Sequence, residues 1–141
     1  MTTGARCYMV GSANPAALLE EIRNAHPRLI VQRFSKRAVS NEFFVEMVAT
    51  QTLRAAVIGN LIAKKPEIDL LLRIAGTTQI SAAIGKAGAK KGETFVVVVA
   101  GEKGQISSLK ARPGWTRLPR RPLSQEELVR IEKAALLNAL R

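Results

Sequence analysis

Two adjacent cations, Lys64 and Lys65, precede an apolar stretch that leads to Arg73, Gly76, Gln79 and Ile80. Together these residue types suit the binding of a polyanion. Lysine and arginine offer contacts to phosphates, and glutamine can hydrogen-bond the edge of a base or a sugar. A glycine among them lets a nucleotide chain approach the backbone closely. Gly76 equally suits the left-handed residue that ends a helix, and both roles can hold. Gln79 serves a ligand contact or the internal needs of a turn. The plain alternative for residues 73–80 is an ordinary helix corner closed by glycine.

Such a corner needs two helices to build it. Pro66-Glu67-Ile68-Asp69 has proline at a first turn and two acids that suit the positive helix end. The spacing predicts a helix from Pro66 to Gly76, then a second from Gln79 to Ala87, capped by Thr77 or Thr78 and stopped by Gly88. The second helix start would present free backbone N–H groups near Thr77 and Gln79, which suit an oxygen acceptor.

The rest of the chain reads as alternating strands and helices. A short strand is expected over residues 6–10. Asn14-Pro15 opens a helix that His26-Pro27 ends near Ala25. A strand follows over 29–34. Ser40-Asn41 caps a long helix to about Ala63, with Phe44, Val48, Ala55, Ile58 and Ile62 near one stripe and Gln51 interrupting it. Residues 95–100, Phe-Val-Val-Val-Val-Ala, predict a central strand buried on both faces. A turn at 101–104, a short helix over 105–110 and an edge strand at 114–118 come next. Ser124 and Glu127 form a capping box for a last helix. That helix is apolar on several faces near Ala135, Leu136 and Leu140, so it is buried or meets a partner. The expectation is a single α/β domain over residues 1–141. It is a mixed domain with a small sheet packed by several helices and a helical corner around Gly76.

Catalytic and metal chemistry find little support. His26 is the only histidine, and no G-x-S-x-G elbow accompanies it. Cys7 is the only cysteine, which excludes an internal disulfide and a cysteine-based zinc site. Glu20-Glu21 and Glu126-Glu127 read as exposed helix residues rather than metal ligands. Residues 85–94 resemble a phosphate loop superficially, but Glu93 stands where the loop's lysine belongs. No metal, cofactor or small-molecule substrate is expected. Tyr8 and Trp115 could stack a base, or else pack in the core or at its rim; adjacent-strand aromatics of an RNA platform are missing.

Charge points to the partner class. The chain carries 22 Lys+Arg against 11 Asp+Glu, a net +11, with pI about 10.7. That excess favours a polyanion. Residues 103–121 hold six bases and no acid, and they suit either RNA contact or a solvating face. Mean hydropathy is +0.04. No apolar run reaches membrane-span length, and residues 1–6 lack a secretory apolar stretch, so a cytoplasmic, non-membrane protein is expected.

The segment Arg73-Ile74-Ala75-Gly76-Thr77-Thr78-Gln79-Ile80, continuing to Gly88, resembles the signature of the small kinase-binding subunit family of the KEOPS (EKC) complex, archaeal type. Val31-Gln32 and the helix through Leu53-Arg54-Ala55 resemble the family's strand and long helix. Ser124 through Leu137 resembles its C-terminal helix. Thr78 stands where the family usually has arginine. The resemblance implies a non-catalytic subunit that binds and regulates the complex's atypical kinase–ATPase. It also implies recruitment of tRNA, chiefly by its 3′ CCA end, for threonylcarbamoyl-adenosine modification. Carried onto this chain, tRNA contact falls on Lys64, Lys65, Arg73, Gly76, Gln79 and Ile80. Kinase contact falls on Ala135, Leu136 and Leu140 of the apolar C-terminal helix. A stand-alone basic RNA-binding protein, associated with ribosome or tRNA, would explain the charge without the corner.

Overall fold

A run of β-branched residues without alternation needs cover on both faces. Val96 to Val99 receive it in the computed structural model, which describes residues 2–12 and 14–140. Strand β3 (Phe95–Glu102) lies between β2 (Ile30–Ser35) and β1 (Thr3–Val10), and β4 (Thr116–Arg117) extends the sheet beyond β1. The order is β2-β3-β1-β4 and every pairing is antiparallel. Val98 sits opposite both Cys7 of β1 and Gln32 of β2.

The period-2 alternation of β3 then feeds two cores. Val96, Val98 and Ala100 join a core supplied by α2 (Glu42–Ile58), α3 (Pro66–Ala75), α4 (Ile80–Ala87) and α6 (Gln125–Leu136). Phe95, Val97 and Val99 join a core supplied by α1 (Pro15–Ala25) and α5 (Lys103–Ser107). Each fully buried aliphatic side chain stabilises by about 1.5–3 kcal/mol relative to exposure, so this doubly covered strand is the main apolar anchor. Local caps fix where the helices begin. Asn14 accepts from the Ala17 N–H, and Ser124 and Glu127 exchange both bonds of a capping box.

Several elements differ from the sequence expectation. Helix α2 stops at Ile58 rather than near Ala63, because Gly59 takes the left-handed conformation at φ 71°. The Gly59 and Asn60 N–H groups both donate to Ala55 O there. Residues 60–65 are thereby released as a connection. Helix α4 starts at Ile80, with Gln79 in the N-cap position and its N–H donated to Thr77 Oγ1. The short helix lies at Lys103–Ser107 instead of 105–110, and β1 begins at Thr3.

The acid-free stretch 103–121 finds its counter-charges elsewhere in the chain. Glu42, the first residue of α2, is fully buried. It accepts from Arg117 Nη2 at 2.7 Å, from Arg120 Nη1 at 3.2 Å and from the Cys7 N–H at 3.0 Å. Glu46, one turn on, accepts from Arg120 at 3.0 Å. These bonds strap residues 117–121 across α2. Burial by itself pushes the Glu42 carboxyl up, but hydrogen bonds from Arg117 and Cys7, with the Arg117 charge, hold it below the usual 4.5. Burial, aided by Glu42, pushes the Cys7 thiol well up, which makes it an inert core residue.

A depressed carboxylate stabilises the fold above its unfolded pKa, and that contribution disappears as pH falls through the folded value. Glu42→Gln should therefore cost about 1–3 kcal/mol at pH 7. The cost should shrink as pH falls below 4.5 and through the lowered pKa of Glu42, read from urea midpoints. Equal midpoints at pH 7 would contradict a stabilising role for the strap.

Candidate nucleic-acid interface

Helix α3 begins where the sequence places it. Pro66 occupies the first turn, where its missing N–H costs nothing, and Glu67 and Asp69 follow. Leu70, Leu71, Leu72 and Ile74 are buried. Gly76 closes the helix at φ 72°, a region that side chains with a Cβ rarely occupy. The Gly76 and Thr77 N–H groups both donate to Leu72 O, at 2.8 and 3.2 Å.

Below this corner lies a buried ion pair. Arg73 Nε donates to Asp69 Oδ1 at 2.7 Å, with side chains 2% and 0% exposed. Asp69 also accepts from Thr52 Oγ1 of α2 at 2.7 Å and from the Ile62 N–H at 2.9 Å. Arg73 further donates to Ala134 O of α6 and to Asn138 Oδ1. Asn138 in turn donates to Asn60 O. A guanidinium with these commitments has no face to offer a phosphate. Arg73 is thus corrected from a phosphate contact to a residue that positions α2, α3, α6 and the 60–65 connection.

The released connection and the start of α4 enclose a groove of about 430 Å³. Ile62, Ile68, Leu72 and Ile80 supply apolar wall, and Lys64 and Lys65 stand beside it. Both lysines are exposed, and Ile80 is 49% exposed. Three of the residues anticipated from sequence, Lys64, Lys65 and Ile80, are therefore brought together. Gln79 is exposed next to Ile80 but does not line the groove. Gly76 lies outside it and backs onto α6, where a Cβ would meet Lys133 Cδ at 3.4 Å. Thr78, the residue in place of arginine, lines the groove directly. Sequence reasoning does not single out Ile62, Ile68 or Leu72. The signal available was Gly59-Asn60, a helix stop that detaches Ile62 from the α2 stripe.

At the far end of α6 the apolar residues separate by face. Ala134 and Leu137 are buried, whereas Ala135 is exposed and Leu136 and Leu140 are 58% and 69% exposed. The Asn138–Asn60 bond holds this end beside the end of α2, whose Val57 and Ile58 are also exposed.

Other chemistry is weaker. Ser108 Oγ lies 3.5 Å from His26 Nδ1, but it donates to Gln105 O at 2.7 Å. Tyr8 is buried and packs on Trp115 with ring centroids 5.3 Å apart. Among the described residues there is no group of three or more His, Cys, Asp or Glu that could hold a metal. Among them, too, no helix is long and apolar enough to cross a membrane.

The site so described is an open, basic-rimmed groove on an α/β domain. No protein-family model matches the chain. It is 36% identical over 92 residues to KEOPS complex subunit Cgi121 of Pyrococcus abyssi (strain GE5 / Orsay). The match covers 62% of this chain and 53% of the relative, so the chain spans about half of that protein's length. This finding supports the small-subunit family of the KEOPS complex to which the corner motif already pointed.

Proposed function

We propose that the chain is a non-catalytic, cytoplasmic subunit of a KEOPS complex that recruits tRNA by its 3′ CCA end and binds and regulates the complex's atypical kinase–ATPase. Its role would be in threonylcarbamoyl-adenosine modification. One observation carries the RNA half of this reading: Lys64, Lys65 and Ile80 converge on a single apolar-walled groove. A single-stranded RNA end exposes unstacked bases, and their faces suit Ile62, Ile68 and Ile80. Lysine ammonium groups beside that wall suit the linking phosphates as point charges. The outward Leu136 and Leu140 support the kinase half, since large exposed apolar side chains clustered at a helix end suit a protein partner. The net charge of +11 also favours a second reading, a general RNA-binding protein that ignores the 3′ end.

Binding of intact and CCA-trimmed tRNA at fixed salt separates the two. Trimming should weaken wild-type binding at least tenfold. The Lys64→Gln/Lys65→Gln variant should bind intact tRNA more weakly, with a log–log salt slope shallower by about 1.4 for two lost single-strand phosphate contacts. Equal affinity for both tRNAs would leave the general RNA binder.

Leu136→Glu should reduce affinity for the kinase subunit at least tenfold while tRNA affinity is retained. Undiminished kinase binding by a folded variant would exclude this end of α6 as the interface.

A further inference from the structure

The outer edge of β1 carries a second set of cations, away from the groove. Strand β4 pairs only with Tyr8 and Met9, which leaves the earlier part of β1 uncovered on that side. An uncovered edge ordinarily invites another strand. Here the N–H groups such a strand would need are already engaged. The Cys7 N–H donates to Glu42 Oε2 at 3.0 Å, and the Ala5 N–H reaches Glu46 Oε2 at 3.5 Å. Cys7 O accepts from the Leu118 N–H at 2.9 Å. Peptide addition is therefore disfavoured.

What this edge does offer is a polar hollow of about 340 Å³, lined by Arg6, Lys103, Arg117, Arg120 and Glu46. With Glu42 behind it, four cations face two carboxylates, a net charge of +2. Arg117 bonds Glu42 through Nε and Nη2, so its Nη1 donors stay free of that pair. Among the described residues, neither Arg6 nor Lys103 forms an ion pair. The Lys103 stem lies over Gly4, where a Cβ would meet Lys103 Cε at 3.3 Å, so the ammonium is rooted at the hollow.

We propose that this hollow binds a backbone phosphate of RNA, as a contact separate from the groove. The inference rests on RNA binding by the chain but not on recognition of the 3′ end. Helix α3 packs on β2 at one end of the sheet, and the hollow opens at the other. Three strand spacings separate those ends, about 14 Å. At about 3.4 Å per stacked nucleotide, that separation alone takes roughly four nucleotides. An RNA that fills the groove with its last bases must extend well beyond them to reach both sites.

The test compares wild type with Arg6→Gln/Lys103→Gln, a variant that leaves the Glu42 and Glu46 strap intact. Fluorescence anisotropy would follow binding of full tRNA and of a four-nucleotide ACCA oligonucleotide across a salt series. The expected result is a 3–10-fold weaker tRNA affinity, a salt slope shallower by about 0.7 for the one lost phosphate contact, and unchanged ACCA affinity. Unchanged tRNA affinity and slope would overturn the proposal. Equal loss for both RNAs would overturn it too, because the hollow would then not be a separate contact. Wild-type binding that ignores the 3′ end contradicts the groove reading alone, and the tRNA arm still decides this one.

Discussion

The corner, the groove and the C-terminal helix all depend on one buried ion pair, Asp69–Arg73. Two charges with 0% and 2% exposure persist only when every donor and acceptor has a partner. Here the partners come from α2, the 60–65 connection, α6 and the turn after it. Removing one member of such a pair typically costs about 3–5 kcal/mol, because the other charge is left buried alone. The geometric consequence is as important. Asp69 holds the Ile62 N–H at 2.9 Å, which fixes one wall of the groove and the approach to Lys64 and Lys65. Arg73 ties the same helix to α6, on whose outer side Leu136 is exposed. The proposed RNA and kinase surfaces therefore share one rigid support.

Charge has two separate jobs in this chain. In the stretch 103–121, Arg117 and Arg120 are spent on Glu42 and Glu46, and Arg112 pairs with Glu21 at 2.7 Å. Much of that local excess is thus structural. Among the described residues, Lys64 and Lys65 at the groove beside α3 form no ion pair, and neither do Arg6 and Lys103 at the outer edge of β1. Net charge of +11 indicates the class of partner, but only the pairing pattern shows where such a partner could be met.

Legibility in the sequence followed the range of the physics involved. The capping box at Ser124 and Glu127, the left-handed Gly76 and the doubly buried β3 are set by neighbours in sequence, and each was readable. The end of α2 was not, because Gly59 interrupts an apolar periodicity that continues through Ile62. Two short-range preferences compete there, and the glycine wins. Arg73 is the most instructive case. Beside a glycine corner in a basic chain it resembles a phosphate ligand. Its partner Asp69 stands four residues earlier, the spacing of a helical ion pair, so half of the answer was visible. The other half, burial under α6, depends on residues 61 and 65 positions away. The inward and outward faces at the end of α6 likewise required its packing partners to be known.

Hydrogen exchange at the Ile62 amide tests the central claim most directly. In wild type this amide should be protected, since it donates to a buried carboxylate although it lies in an irregular connection. In Arg73→Met its exchange should rise at least tenfold while amides of β3 keep their protection. An Ile62 amide that exchanges freely in wild type, or one equally protected in the variant, would contradict the account of a groove held in place by the Asp69–Arg73 pair.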